Sequence, residues 1–134
     1  MSPAAGVAYV DSSALVKLVI PEPESDALRA ELAQWQRHVS SALARTEVVR
    51  ACARVAPAAR EVAERVVAAL DLVAVDDELL GEAARLEPAE LRTLDSIHLA
   101  SALLLRETIG VAIAYDARLL EAMSAAGLPA AAPA

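Results

Sequence analysis

The chain is 134 residues long, 57% hydrophobic and 2% aromatic, with 12 basic residues against 19 acidic ones and a formal net charge of −7. That balance excludes an open, sequence-independent nucleic-acid surface, which needs clustered Lys and Arg. The few aromatic side chains, Tyr9, Trp35 and Tyr115, exclude a base-stacking platform.

Apolar runs are cut by Lys17, Asp71, Arg106 and Glu107 before they reach the ~18 residues of a membrane span. Met1-Ser2-Pro3-Ala4 lacks the basic start of a secretion signal, and the lone Cys52 fits a reducing compartment. The expectation is one domain over residues 1–134, cytoplasmic and without membrane attachment.

In chain order, a short apolar strand Val7-Ala8-Tyr9-Val10 ends on Asp11. Helical spacing then runs from Ser12 to Ile20 and stops at Pro21-Glu22-Pro23. Glu24 to Gln36 reads as a second helix, with Ala27, Leu28, Leu32 and Trp35 at core-like intervals. The apolar faces of Leu15 to Ile20 and Leu28 to Trp35 are candidates for a partner groove or dimer face. A strand His38-Val39-Ser40-Ser41 leads to a helix over Leu43 to Val55, in which Val48, Cys52 and Val55 share one face while Glu47, Arg50 and Arg54 lie on its flank.

A helix over Ala58 to Ala69, a strand Leu72 to Val75 and a helix Asp77 to Leu86 follow. Asp95 to Glu107 is apolar nearly all round and hence a buried helix. Val111-Ala112-Ile113-Ala114-Tyr115 is a strand ending on Asp116, followed by a helix to Ala126. The Ala-rich tail after Gly127 is weak as a strand. Alternating strands and helices predict a small parallel sheet of four or five strands covered on both faces.

Asp11 and Asp116 both close strands, and in a parallel sheet both carboxylates reach the carboxyl edge, where open α/β folds place their ligands. Taken singly, each acid has a plain explanation. Asp11 and Asp116 suit the N-cap of the helix that follows, Asp95 suits the positive end of its own helix, and Glu47 has Arg50 three residues on for a surface ion pair. Taken together these explanations weaken, because several carboxylates in one pocket stay ionised only with cations or shared protons. An all-oxygen donor set selects Mg²⁺ or Mn²⁺ over zinc.

Four segments carry a resemblance. Val10-Asp11-Ser12-Ser13-Ala14-Leu15-Val16-Lys17 resembles the opening motif of PIN-domain nucleases, and Ser41-Ala42-Leu43-Ala44-Arg45-Thr46-Glu47-Val48 is similar to the helix that supplies their glutamate. Leu91-Arg92-Thr93-Leu94-Asp95-Ser96-Ile97-His98-Leu99-Ala100 resembles the third acidic motif and Tyr115-Asp116-Ala117-Arg118-Leu119 the fourth. All four stand in family order, and the size points to the VapC toxins of type II toxin–antitoxin pairs.

The resemblance implies a PIN-like three-layer α/β/α fold and a metal-dependent endoribonuclease. It also implies a homodimer, and a cognate antitoxin that inhibits the enzyme and forms a heterotetramer or larger complex with it. By the same likeness Asp11 and Asp95 become the principal Mg²⁺ ligands, with Mn²⁺ an alternative, and Glu47 and Asp116 complete an acidic catalytic pocket around the RNA phosphate.

Ser13 stands where it can support a ligand carboxylate or simply start a helix. Lys17, Arg45, Arg92 and Arg118 lie near the motifs, within reach of RNA phosphates, with a solvated face or an ion pair the expectation for any one of them. His98, one turn after Asp95, is expected to be a hydrogen-bonded core histidine. A haloacid-dehalogenase phosphatase would need a second Asp where Ser13 stands, a response-regulator receiver has no counterpart to the Asp95 helix, and no G-x-S-x-G elbow supports a serine hydrolase. The alternative from another class is a catalytically silent PIN scaffold that binds an antitoxin and autoregulates transcription.

Overall fold

The computed structural model describes residues 4–134. Along them run β1 (Ala4–Val10), α1 (Ser12–Val19), α2 (Ser25–Leu32), β2 (Trp35–Ser41), α3 (Ala44–Val55), α4 (Ala59–Ala68), β3 (Asp71–Val73), α5 (Asp77–Ala84), α6 (Thr93–Leu104), β4 (Ile109–Ile113), α7 (Ala117–Ala125) and β5 (Ala130–Ala131). Among the described residues the strands form one five-stranded sheet in the order β3-β2-β1-β4-β5, and every pairing in it is parallel. The order turns back between β1 and β4, which makes the carboxyl ends of these two strands the crevice of the sheet.

Alternation along β1 and β4 divides the interior into two layers, because successive side chains of a strand point to opposite faces. Ala8, Val10, Val111 and Ile113 pack on one face against Leu15, Leu28, Val48, Cys52 and Val67. Val7, Tyr9, Ala112 and Ala114 pack on the other against Leu99, Leu119 and Met123. Leu15, Leu28 and Leu119 are fully buried, each contributing about 1.5–3 kcal/mol over an exposed position. The result is the three-layer α/β/α arrangement expected from the sequence.

Several expectations are corrected. The second helix ends at Leu32 and not at Gln36, and Trp35 opens β2. Its ring lies over Gly110, where a β-carbon would clash with it, and its Nε1 donates to Glu31 Oε2 at 2.8 Å. Spacing alone had assigned Trp35 to the preceding helix. Of the apolar faces of Leu15 to Ile20 and Leu28 to Trp35, Leu15, Leu28 and Leu32 are buried in the core, while Val16, Leu18, Val19, Ile20 and Trp35 pack against the same cluster and stay partly exposed.

Val55 does not share the buried face of Val48 and Cys52. It is 65% exposed, because α3 ends there and the chain turns into extended backbone at Ala56. The buried helix α6 spans Thr93–Leu104, two residues earlier at its start than expected. The weak tail does form a strand: the edge position beside β4 requires only two paired residues, Ala130 and Ala131.

Candidate active site

Asp11 follows the last residue of β1 and caps α1, its Oδ1 accepting from the Ala14 N–H at 2.9 Å. Asp116 follows β4 and caps α7, its Oδ1 accepting from the N–H groups of Arg118 and Leu119 at 3.0 and 3.1 Å. Capping and site-lining are therefore compatible roles here. Glu47 sits in the first turn of α3 and Asp95 in the first turn of α6, and a carboxylate is favoured at both helix starts.

The four acids, with Ser12, Ser13, Arg92, Thr93, Leu94 and His98, line one cavity of about 340 Å³ at the β1/β4 crevice. The convergence stops short of a single point. Among the described residues no three His, Cys, Asp or Glu side chains are drawn together tightly enough to hold a metal ion. Three of the carboxylates, Asp11, Glu47 and Asp116, are hydrogen-bonded to partners on their own elements or to neighbours within the protein.

Ser13 makes one of those ties. Its hydroxyl donates to Asp11, with Oδ1 at 2.7 Å and Oδ2 at 2.9 Å, and accepts from the Tyr115 N–H at 3.1 Å. It thus links the carboxyl ends of the two central strands while orienting the carboxylate. Asp11 is 3% exposed, and burial is the main reason its carboxyl is pushed up to about 6, against the pull of His98 and of the Ala14 and Ser13 hydrogen bonds. Burial and the neighbouring Asp116 also raise Asp95.

Glu47 behaves differently. Burial pushes its carboxyl up, but hydrogen bonds from His98 and Ser12 outweigh that and hold it below the usual range. Its Oε1 accepts from Ser12 Oγ at 2.8 Å and from His98 Nε2 at 2.9 Å, and the ion pair with Arg50 suggested by spacing is not formed.

His98 is the residue whose role sequence reasoning undervalued. It is 2% exposed, as a core histidine should be, yet it reaches the cleft. Tyr9 Oη lies 2.8 Å from its Nδ1, and Ser12 Oγ lies 3.1 Å from its Nε2. A proton on Nε2 lets the ring donate to Glu47, while Nδ1 is the partner of the Tyr9 hydroxyl. Tyr9 is fully buried, and burial together with the nearby Asp11 raises its hydroxyl well above the ordinary value, so it remains a donor.

The spacing of His98 from Asp95 was a signal for this network. Nothing local marks the links to Tyr9 and Ser12, 89 and 86 residues away. Arg118 brings only its backbone N–H to the site and has an exposed side chain. Lys17 is held by Glu22 and Glu24 at 2.8 and 3.5 Å and sits over the Tyr115 ring. Of the basic residues near the motifs, Arg92 is the one that lines the cavity.

Comparison with known proteins places the chain in a family. The PIN domain family model matches residues 8–124. The chain is 49% identical to Ribonuclease VapC46 of Mycobacterium tuberculosis over 125 residues, which is 93% of this chain and 96% of that protein. The chain belongs to the PIN-domain family, among its VapC ribonucleases. Ribonuclease VapC47 of the same species is 37% identical over 93% of this chain and 96% of its own length. The crystal structure of Mycobacterium tuberculosis VapC20, described as a sarcin-ricin loop cleaving toxin, superposes with a TM-score of 0.72 at 19% identity, covering 90% of this chain and 95% of that one; that likeness bears on the PIN fold alone.

PIN-domain VapC ribonucleases generally depend on a divalent metal. The chemistry of the lining suits such an ion although, among the described residues, the side chains are not drawn together as a ligand set: four carboxylates line one cleft with Arg92 the one guanidinium among its lining residues, and burial raises the carboxyls of Asp11 and Asp95. Oxygen donors of this kind suit a hard divalent cation.

Proposed function

We propose that this protein is an endoribonuclease toxin that uses Mg²⁺, or Mn²⁺ in its place, in a site made by Asp11, Asp95, Glu47 and Asp116. We further propose that it works as a homodimer in the cytoplasm and is inhibited by a cognate antitoxin. One observation carries the reading: acids from four separate segments line a single cleft at the point where the sheet order turns back. Among the described residues no helix is long and apolar enough to cross a membrane.

Hydrolysis adds water across the bond between phosphorus and the 3′ oxygen. The water oxygen bonds to phosphorus, one proton passes to a base and one reaches the departing oxygen, leaving a 5′-phosphate and a 3′-hydroxyl. Asp11 and Asp95 would hold the divalent ion, with Glu47 and Asp116 beside them, and the chemistry it would supply is charge relief at the phosphate and a more nucleophilic water.

The chain's own groups do the rest. Ser13 and the Ala14 N–H keep the Asp11 carboxylate turned to one orientation. Ser12 and His98 fix Glu47 through Oε1, so Oε2, which makes no hydrogen bond among the described residues, is available to orient water and take its proton. Asp116 likewise has its Oδ1 committed to two backbone donors and, among the described residues, its Oδ2 free, so the two carboxylates share this capacity.

The test is cleavage of RNA by the purified protein, with products mapped at their ends. Activity should require added divalent ion, and Asp11→Asn should lower it by about a thousandfold, the ~4 kcal/mol expected for losing an ion's charge at the reacting phosphate. Full activity in EDTA, or in Asp11→Asn, sinks the reading. A folded protein silent on a broad RNA panel would favour the antitoxin-binding scaffold instead.

A further inference from the structure

A second cavity, of about 450 Å³, opens directly from the acidic cleft and shares Ser12, Ser13, Glu47 and Leu94 with it. Its outer part is lined by Arg50 and Arg54 of α3, with Val16 and Thr46 beside them. Glu47, Arg50 and Arg54 fall at i, i+3 and i+7 of one helix and so lie in a row. The two arginines are four residues apart, ~6 Å along the axis, a separation comparable to that of successive phosphates in an extended strand.

Lys17, Arg29, Arg37 and Arg85 are engaged in ion pairs elsewhere; among the described residues Arg45, Arg60, Arg65, Arg92 and Arg118 are not, and what sets Arg50 and Arg54 apart is their place on the cavity that continues from the cleft. Among the described residues neither Arg50 nor Arg54 makes an ion pair or a side-chain hydrogen bond, and both are exposed. An acidic cleft repels a polyanion until ions neutralise it. Holding a strand there requires positive charge outside the carboxylate cluster yet continuous with it. Leu94, 48% exposed at the junction of the two cavities, gives a sugar or base an apolar shoulder where no aromatic ring is present.

We propose that the RNA strand leaves the acidic cleft along α3, with Arg50 and Arg54 holding backbone phosphates that neighbour the scissile one. The inference rests on the ribonuclease reading and extends it to the substrate's path. Contacts of this type position a strand without reading its sequence.

The test uses a labelled single-stranded RNA of mixed sequence bound to the full chain with Ca²⁺ in place of Mg²⁺ at one fixed concentration, an oxygen-seeking ion that neutralises the cleft, with the RNA checked to be intact after binding. Each phosphate neutralised on a single strand contributes about 0.7 to the slope of log K against log salt. The double variant Arg50→Ala/Arg54→Ala should therefore lower that slope by about 1.4 and weaken low-salt binding about tenfold. Arg50→Lys/Arg54→Lys should keep most of the slope, because Lys binds phosphate as a point charge.

With Mg²⁺ present, KM should rise in the alanine variant while kcat changes little, as expected for lost uniform binding. An unchanged slope overturns the proposal, as does a fall in kcat at constant KM, which would place the arginines' effect at the acidic cleft itself. An oligo-glutamate peptide that competes with RNA equally well at this groove would mark it as a protein-docking face and also overturns it. If the wild type binds RNA with the expected slope yet never cleaves, the nuclease reading fails while the strand path stands.

Discussion

Asp11 and Glu47 line the same cleft and both are withdrawn from water, yet their carboxyls move in opposite directions. Asp11 is pushed up to about 6 by burial, whereas at Glu47 the hydrogen bonds from His98 and Ser12 win over burial. The β1 and α6 side thus carries charge that the protein does not balance, and the α3 side carries a carboxylate already stabilised by its own donors. Environments that drive paired acids apart assign them different tasks. Here the unbalanced half calls for a cation, and the balanced half keeps an ionised base ready at neutral pH.

Removing His98 should break this asymmetry from the α3 side. His98→Ala takes away a hydrogen bond to Glu47 Oε1 and leaves the buried Tyr9 hydroxyl without its ring partner. Residues that orient a functional carboxylate from behind typically matter by about 10–100-fold, and kcat should fall by that factor with KM nearly constant. The unpaired hydroxyl should cost about 1–3 kcal/mol of stability as well. His98→Gln, which keeps a donor toward Glu47, should recover part of kcat. Equal loss in both variants, tracking stability alone, would make His98 a core residue and nothing more.

Asp11→Asn should sharpen the comparison from the other side. A carboxyl raised from 3.8 to about 6 destabilises the folded state once it is ionised. Its contribution is harmless below 3.8, where both folded and unfolded forms are protonated; stability is lost as pH rises from about 3.8 to about 6, and the loss is complete above that. The metal-free variant should be more stable than the wild type by about 2 kcal/mol near pH 7.5, less than the ~3 kcal/mol that the full shift implies. The gain should shrink as pH falls toward 4. Adding Mg²⁺ or Mn²⁺ should reverse the order, since an ion at a hundredfold excess over its Kd stabilises the protein that binds it by about 2.7 kcal/mol. Urea unfolding at three pH values, with and without the ion, reads all of this, and a pH-independent difference would contradict the burial argument.

What the sequence disclosed follows from how far apart the interacting residues lie. Asp11 and Asp116 were legible because a strand-end acid is a local feature, and parallel topology then carries both to one edge. Three-layer packing was legible from the alternation of apolar strands and amphipathic helices. The Tyr9–His98–Glu47 chain was not, because its members are 89 and 51 residues apart and each looks like an ordinary core or helix residue on its own. Trp35 misled because its spacing from Leu32 and Leu28 suits a helix, and only the side-chain-free surface at Gly110 reveals why it begins a strand. The tail misled in the opposite sense: alanine is a poor strand former, but backbone pairing with β4 makes no demand on side chains.

The smallest expected effect isolates the hinge between the two halves. Ser13 donates to Asp11 and receives the Tyr115 N–H, so Ser13→Ala removes one tie to the carboxylate and leaves one backbone donor without its side-chain partner. A net loss of about 1 kcal/mol is expected for such a group. The informative measurement is the double-mutant cycle with Asp11→Asn in the metal-free protein. With the serine gone, the ionised Asp11 is less well supported, so substituting it by Asn should gain more in the Ser13→Ala background than in the wild type, with a coupling of about 0.5–1 kcal/mol. Strict additivity would mean that Ser13 serves the Tyr115 backbone alone, and that the orientation of Asp11 depends on the Ala14 cap.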